Sequence, residues 1–147
     1  MELEFTSDQD ALRDAIRAVL TNESPVTLAR AVVGGGTGAR DLWATEVGLG
    51  WPALTVPEVH GGIGLGMLEA AILAEELGRV IAPGPLLATV TQFVPVLAEC
   101  GTDEQQARFL GAVAAGEIAG TLAIGAYDPS EAPASFTGGV LAGECAG

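Results

Sequence analysis

Two adjacent glutamates, Glu75-Glu76, and a single histidine, His60, are the side chains whose types best suit proton transfer. Paired carboxylates serve acid–base chemistry when both reach one substrate atom. Adjacent helical positions point about 100° apart, so these two cannot converge. One buried with a specific partner and one solvated is the better reading. His60 sits in a Gly-rich turn with no Ser/His/Asp set around it. As the sole histidine it founds no His-based metal cluster, and it reads as a turn residue. Cys100 and Cys145 lack metal-ligand spacing and form no CxxC, which suggests free thiols in a cytosolic protein. Gly34-x-Gly36-x-x-Ala39, with Glu58 downstream, satisfies a loose dinucleotide fingerprint. That fingerprint needs a strand before the glycines and a βαβ unit around them. Residues 28–33 read instead as a helix end, so the glycines are taken as a linker. Trp43 and Trp51 read as core anchors rather than stacking platforms.

The elements that must position these groups are mostly helical. Ser7-Asp8-Gln9-Asp10 resembles a helix cap, with Ser7 as the capping residue. Leu12, Ala15, Ile16, Val19 and Leu20 then recur at helical spacing to about Asn22, opposite Asp10, Arg13, Asp14 and Arg17. Pro25 opens a second short helix, and Ala39–Val47 forms a third with Leu42 and Trp43 inward. Gly- and Pro-rich sequence follows up to Gly66. Met67 to Leu77 is apolar nearly all round, which predicts the most buried helix of the molecule. Its Glu75 and Glu76 fall in the last turns, the wrong end of the helix dipole for carboxylates, so at least one needs a specific partner. Leu86 to Cys100 reads as a helix kinked or split by Pro95. Thr102-Asp103-Glu104-Gln105 is a capping box opening a helix that stops at Gly116. Gly120 to Tyr127 reads as a strand, Asp128-Pro129 as a turn and Gly139–Gly143 as a second strand. Two short strands cannot close a sheet alone, so the chain is expected to be truncated at the entrance to a β domain.

Composition narrows the classes. The 147 residues suffice for one domain with a real core, and 49% hydrophobic against 17% charged residues excludes disorder. The net charge is −13, with six arginines and no lysine, so no basic patch for nucleic acid can be assembled. The acidic start Met1-Glu2-Leu3-Glu4-Phe5 lacks the features of a signal peptide. Val80 to Ala98 carries no charge, but Pro83, Gly84, Pro85, Gln92 and Pro95 argue for a buried turn and helix rather than a membrane span.

Laid end to end, the segments resemble the acyl-CoA dehydrogenase family. The resemblance is carried by Leu49-Gly50-Trp51, Val56-Pro57-Glu58-x-x-Gly61-Gly62-x-Gly64, Glu75-Glu76-Leu77-Gly78-Arg79 and Ala82-Pro83-x-Pro85. It continues through Cys100-Gly101-Thr102-x-Glu104-Gln105, Leu110, Ala115-Gly116-Glu117 and Thr121-Leu122-Ala123-Ile124, covering residues 5–126. It implies a mostly α fold: an N-terminal helical domain over residues 1–118, followed by the first strands of a β-barrel domain over 119–147. It further implies FAD as cofactor, an acyl-CoA substrate oxidised between its α and β carbons, and electron-transfer flavoprotein as acceptor. A homo- or hetero-tetramer in the cytoplasm follows from the same likeness, with neither nucleic acid nor membrane as partner.

In that family a glutamate removes the α proton while the β hydrogen leaves as hydride. The resemblance puts this base beyond the present chain, so no catalytic residue is assigned here. The helical domain mainly walls the acyl pocket and supports the flavin. At the end of the first strand the family has a Thr-Glu-Pro turn followed by Gly-Ser-Asp, which meets the flavin. Tyr127, Asp128, Pro129 and Ser130 stand in that place and are the candidate cofactor-binding residues, without the Gly-Ser-Asp. Two functions follow: an FAD-dependent acyl-CoA dehydrogenase, or a non-catalytic, flavin-poor partner subunit of a heteromeric one.

Overall fold

The computed structural model describes residues 4–125, 135–138, 140–142 and 145–146. Seven helical segments precede two small antiparallel strand pairs. They are α1 (Ser7–Glu23), α2 (Val26–Val33), α3 (Ala39–Gly48), α4 (Met67–Val80), α5 (Leu86–Ala88), α6 (Val94–Cys100) and α7 (Asp103–Ala114). The strands are β1 (Ile124–Gly125), β2 (Ser135–Thr137), β3 (Val140–Ala142) and β4 (Cys145–Ala146). The expected class, mostly α with a β start, is the one found.

Helix α1 begins one residue earlier than Ser7 suggested. Thr6 is the cap: its hydroxyl accepts the Gln9 amide at 3.3 Å while the Gln9 side chain accepts the Thr6 amide at 3.0 Å. The reciprocal box needs Glu or Gln three residues on, which Thr6 has and Ser7 does not. Thr102 and Gln105 repeat the arrangement at the start of α7, as read from the sequence. Helix α1 lies along α4, and Ile16, Leu20, Ile72, Leu73 and Leu77 interlock there with Leu42, Trp51, Leu86 and Val90. A second cluster, Val56, Val94, Leu110 and Val113, joins α6 and α7 to the turns that follow α3.

Helix α4 is not buried on every side. Ile72 and Leu73 are inaccessible, but Met67 and Leu68 are 56% and 50% exposed. An apolar first turn overstates burial, because the helix enters the core only from Ala70 onward. Between α3 and α4 the chain makes 3-10 turns at Trp51–Ala53 and Glu58–His60. Gly62 is held against Val56 there so closely that a Cβ would collide with the Val56 carbonyl, and Gly61 before it adopts φ 82°, so the paired glycines have two separate reasons.

Pro95 neither splits nor sharply breaks its helix. Between α5 and α6 the residues Thr89–Phe93 form a π-helical turn, so the backbone runs on from Leu86 to Cys100. A widened turn just ahead of a proline relieves the clash of its ring with the preceding carbonyls. Among the described residues no helix is long and apolar enough to cross a membrane.

The strand expected over Gly120–Tyr127 is shorter within the described residues. Residues 117–123 have no regular structure, and the ladder begins only at Ile124, which pairs with Ala146. Gly120 is instead tied to helical side chains: Thr89 Oγ1 accepts its amide at 3.1 Å. Val140–Ala142 falls inside the expected second strand, and its partner Ser135–Thr137 was not foreseen. Leu122, in the irregular stretch before the ladder, is 38% exposed.

Candidate functional site

The paired glutamates divide as their helical geometry requires. Glu76 is inaccessible on the face of α4 toward α1, and Glu75 is solvated with Arg13 3.1 Å away. Arg17 reaches both oxygens of Glu76, and Arg79 Nε donates to it at 2.8 Å. Hydrogen bonding from Arg17, then from Arg79, holds the Glu76 carboxyl down to about 2 despite burial. An acid so firmly ionised, with both oxygens engaged by guanidinium groups, neither donates nor abstracts a proton near neutral pH. Its work is to bind α1 to α4.

Glu69, on the same helix, accepts Gln9 Nε2 at 2.8 Å and the Gly66 amide at 3.0 Å. These bonds hold its carboxyl below the usual carboxylate range, the Gln9 contact most. The carboxylates along α4 thus serve to dock α1.

His60 is half-buried at the end of its 3-10 turn, where its backbone amide donates to the Pro57 carbonyl at 2.9 Å. It is a turn residue, as read. The Gly34–Gly38 segment joins α2 to α3 with no strand before it, so the dinucleotide fingerprint has no βαβ frame among the described residues. Trp51 is 7% exposed and sits in the main core, and Trp43 packs partly against it. Cys100 is a free, exposed thiol. Among the described residues no group of His, Cys, Asp and Glu could hold a metal ion.

Sequence reasoning missed Glu46. It is 1% exposed on the last turn of α3, and burial pushes its carboxyl up to about 7. The signal was its place four residues after Leu42, on the same inward face.

Tyr127, Asp128, Pro129 and Ser130 lie outside the described residues. A flavin dinucleotide needs donors for two phosphates and a long slot for its rings. Four cavities among the described residues measure about 240 to 330 Å³ and are lined largely by apolar side chains, and Arg79 is the single arginine on their walls. The described residues do not by themselves fit that cofactor.

The order of helices, the Val56-Pro57-Glu58 turn with its close-packed Gly62, and the α1–α4 ion cluster can be set beside known proteins. Residues 6–117 match the acyl-CoA dehydrogenase N-terminal domain. The chain is 37% identical to acyl-CoA dehydrogenase FadE28 of Mycobacterium tuberculosis over 97% of its own length and 38% of that protein's. Its fold resembles the ChsE4-ChsE5 complex from Mycobacterium tuberculosis, with a TM-score of 0.68 and 30% identity over 89% of this chain and 33% of that one. It also resembles the Tcur3481-Tcur3483 steroid ACAD, with a TM-score of 0.62 and 27% identity over 88% and 34%. The chain therefore spans about a third of the length of the relatives it matches, and it belongs to the acyl-CoA dehydrogenase family, whose N-terminal helical domain it carries.

Proposed function

We propose that the protein to which this chain belongs is a cytoplasmic, FAD-dependent acyl-CoA dehydrogenase that oxidises an acyl-CoA thioester between its α and β carbons. In this reading residues 1–118 form the helical domain walling the acyl pocket, and residues 119–147 lead into the β domain. The base, most flavin contacts and the docking of electron-transfer flavoprotein belong to other parts of the assembly. The single observation that carries the reading is the match of the whole helical domain to acyl-CoA dehydrogenases in both sequence and fold. Steroid side chains are the favoured acyl class, because a steroid ACAD is among its structural neighbours.

A second reading is supported by Tyr127-Asp128-Pro129-Ser130, which lacks the Gly-Ser-Asp of the family, and by the likeness to a complex of two differently named subunits. In it this subunit binds little flavin and completes a partner in a hetero-tetramer.

Purification of the full-length subunit, alone and co-expressed with a flavin-binding homologue, decides between them. One FAD per chain, bleached by an acyl-CoA, establishes the dehydrogenase. A colourless subunit that gains about one FAD per pair of chains on co-expression, as a shared symmetric interface would give, establishes the partner. Flavin in neither preparation sinks both.

A further inference from the structure

Glu46 is a buried acid whose Oε2 has no hydrogen-bond partner. Leaving a buried carboxyl unmatched is costly, and more so when it ionises. Beside it a cavity of about 240 Å³ opens between the end of α4 and the turn into α5. Leu77, Ile81, Ala82, Pro83 and Leu86 wall it, and Glu46 is the only charged or titratable side chain on its lining. At the rim Ile81 adopts φ 55°, a left-handed conformation that β-branched residues rarely take, and it is 64% exposed. The nearby arginines Arg13, Arg17 and Arg79 are committed to Glu75 and Glu76, so none of them answers Glu46.

We propose that this cavity binds a cation carried on an apolar stem, an alkylammonium or alkylguanidinium group, with its head on the Glu46 carboxyl and its stem along Leu77, Ala82 and Leu86. Apolar walls suit the methylene stem, which long basic groups bury readily. A cation supplies what the buried acid lacks: a donor and an opposite charge in a site shielded from water. The chain's net charge of −13 draws cations toward it. A free amine and an arginine or lysine side chain of a neighbouring polypeptide offer the same chemistry.

The test titrates the full-length subunit with n-butylguanidinium, n-pentanol and the peptide acetyl-Ala-Arg-Ala-amide, following the Glu46 carboxyl carbon by NMR. Cation binding requires the ionised acid, so butylguanidinium should bind about thirtyfold more tightly near pH 8 than near pH 5.5 and should lower the Glu46 midpoint. Glu46→Gln should lose that affinity and its pH dependence. Ala82→Leu narrows the cavity without touching the carboxyl, so it should also block binding. Tighter binding of the peptide than of butylguanidinium identifies a polypeptide side chain as the source. Exclusion of the peptide while butylguanidinium binds identifies a free ligand. The proposal is overturned if pentanol binds as well as butylguanidinium near pH 8, if Glu46→Gln retains the cation, or if none of the three binds.

Discussion

Arg17 lays its guanidinium fork across Glu76, with Nε 3.0 Å from Oε2 and Nη2 2.5 Å from Oε1, although 59 residues separate them in sequence. The acid is inaccessible while Arg17 and Arg79 remain nearly half exposed, so the cluster lies between a surface pair and a buried one. Glu76→Gln should cost about 1–3 kcal/mol at neutral pH. Because folding lowers this carboxyl from 4.5 to about 2, its contribution is fully present above pH 4.5 and fades as pH falls toward 2. Urea titrations of both proteins across that range should converge at the acid end.

Glu46 works in the opposite sense. Burial raises its carboxyl from 4.5 to about 7, so the fold favours the protonated form. Its penalty is absent below pH 4.5, grows as pH rises and is complete above 7. Glu46→Gln, which cannot ionise, should be more stable than the parent by about 1–3 kcal/mol above pH 7 and nearly equal to it near pH 4. Thermal melts showing an equal or larger gain at acid pH would contradict this.

Leu73 has no exposed surface on α4, and Leu68 on the same helix is half exposed. Leu73→Ala should destabilise by about 2–5 kcal/mol, whereas Leu68→Ala should fall within about 0.5 kcal/mol of the parent. Chemical denaturation of the two variants separates a helix buried on one face from one buried all round.

Thr6→Ala should cost about 1 kcal/mol, with Ser7→Ala close to neutral, because only Thr6 takes part in the reciprocal cap with Gln9. Equal losses at the two positions would return the cap to Ser7.

These contrasts show where the sequence was legible. Thr102-x-x-Gln105 and Thr6-x-x-Gln9 are local patterns, so a short window holds all their information; choosing Ser7 ignored the glutamine that decides the matter. The need of Glu76 for a partner followed from its place in the last turns of α4. The identity of that partner did not, because Arg17 comes from a distant helix. Glu46 was overlooked because a glutamate in an amphipathic helix normally faces water. The ladder begins only at Ile124 because tertiary bonds from Thr89 hold the backbone at Gly120, and propensity has no access to such bonds. The flavin-facing turn was read through resemblance and lies outside the described residues.

The Thr89 hydroxyl lies within 2.9 Å of the Pro85 carbonyl and 3.1 Å of the Gly120 carbonyl, and it receives the Gly120 amide at 3.1 Å. Phe93, also in the π turn, stacks so close to Gly120 that any side chain there would strike its ring. The chain's exit from its helices is thus clamped at one residue. Thr121, Leu122 and Ala123 follow the clamp, exposed and outside any ladder, with the Thr121 hydroxyl donating to Gln92 Oε1 at 3.5 Å. A change of length in those three residues would move the start of the β1–β4 ladder at Ile124 relative to the clamped Gly120.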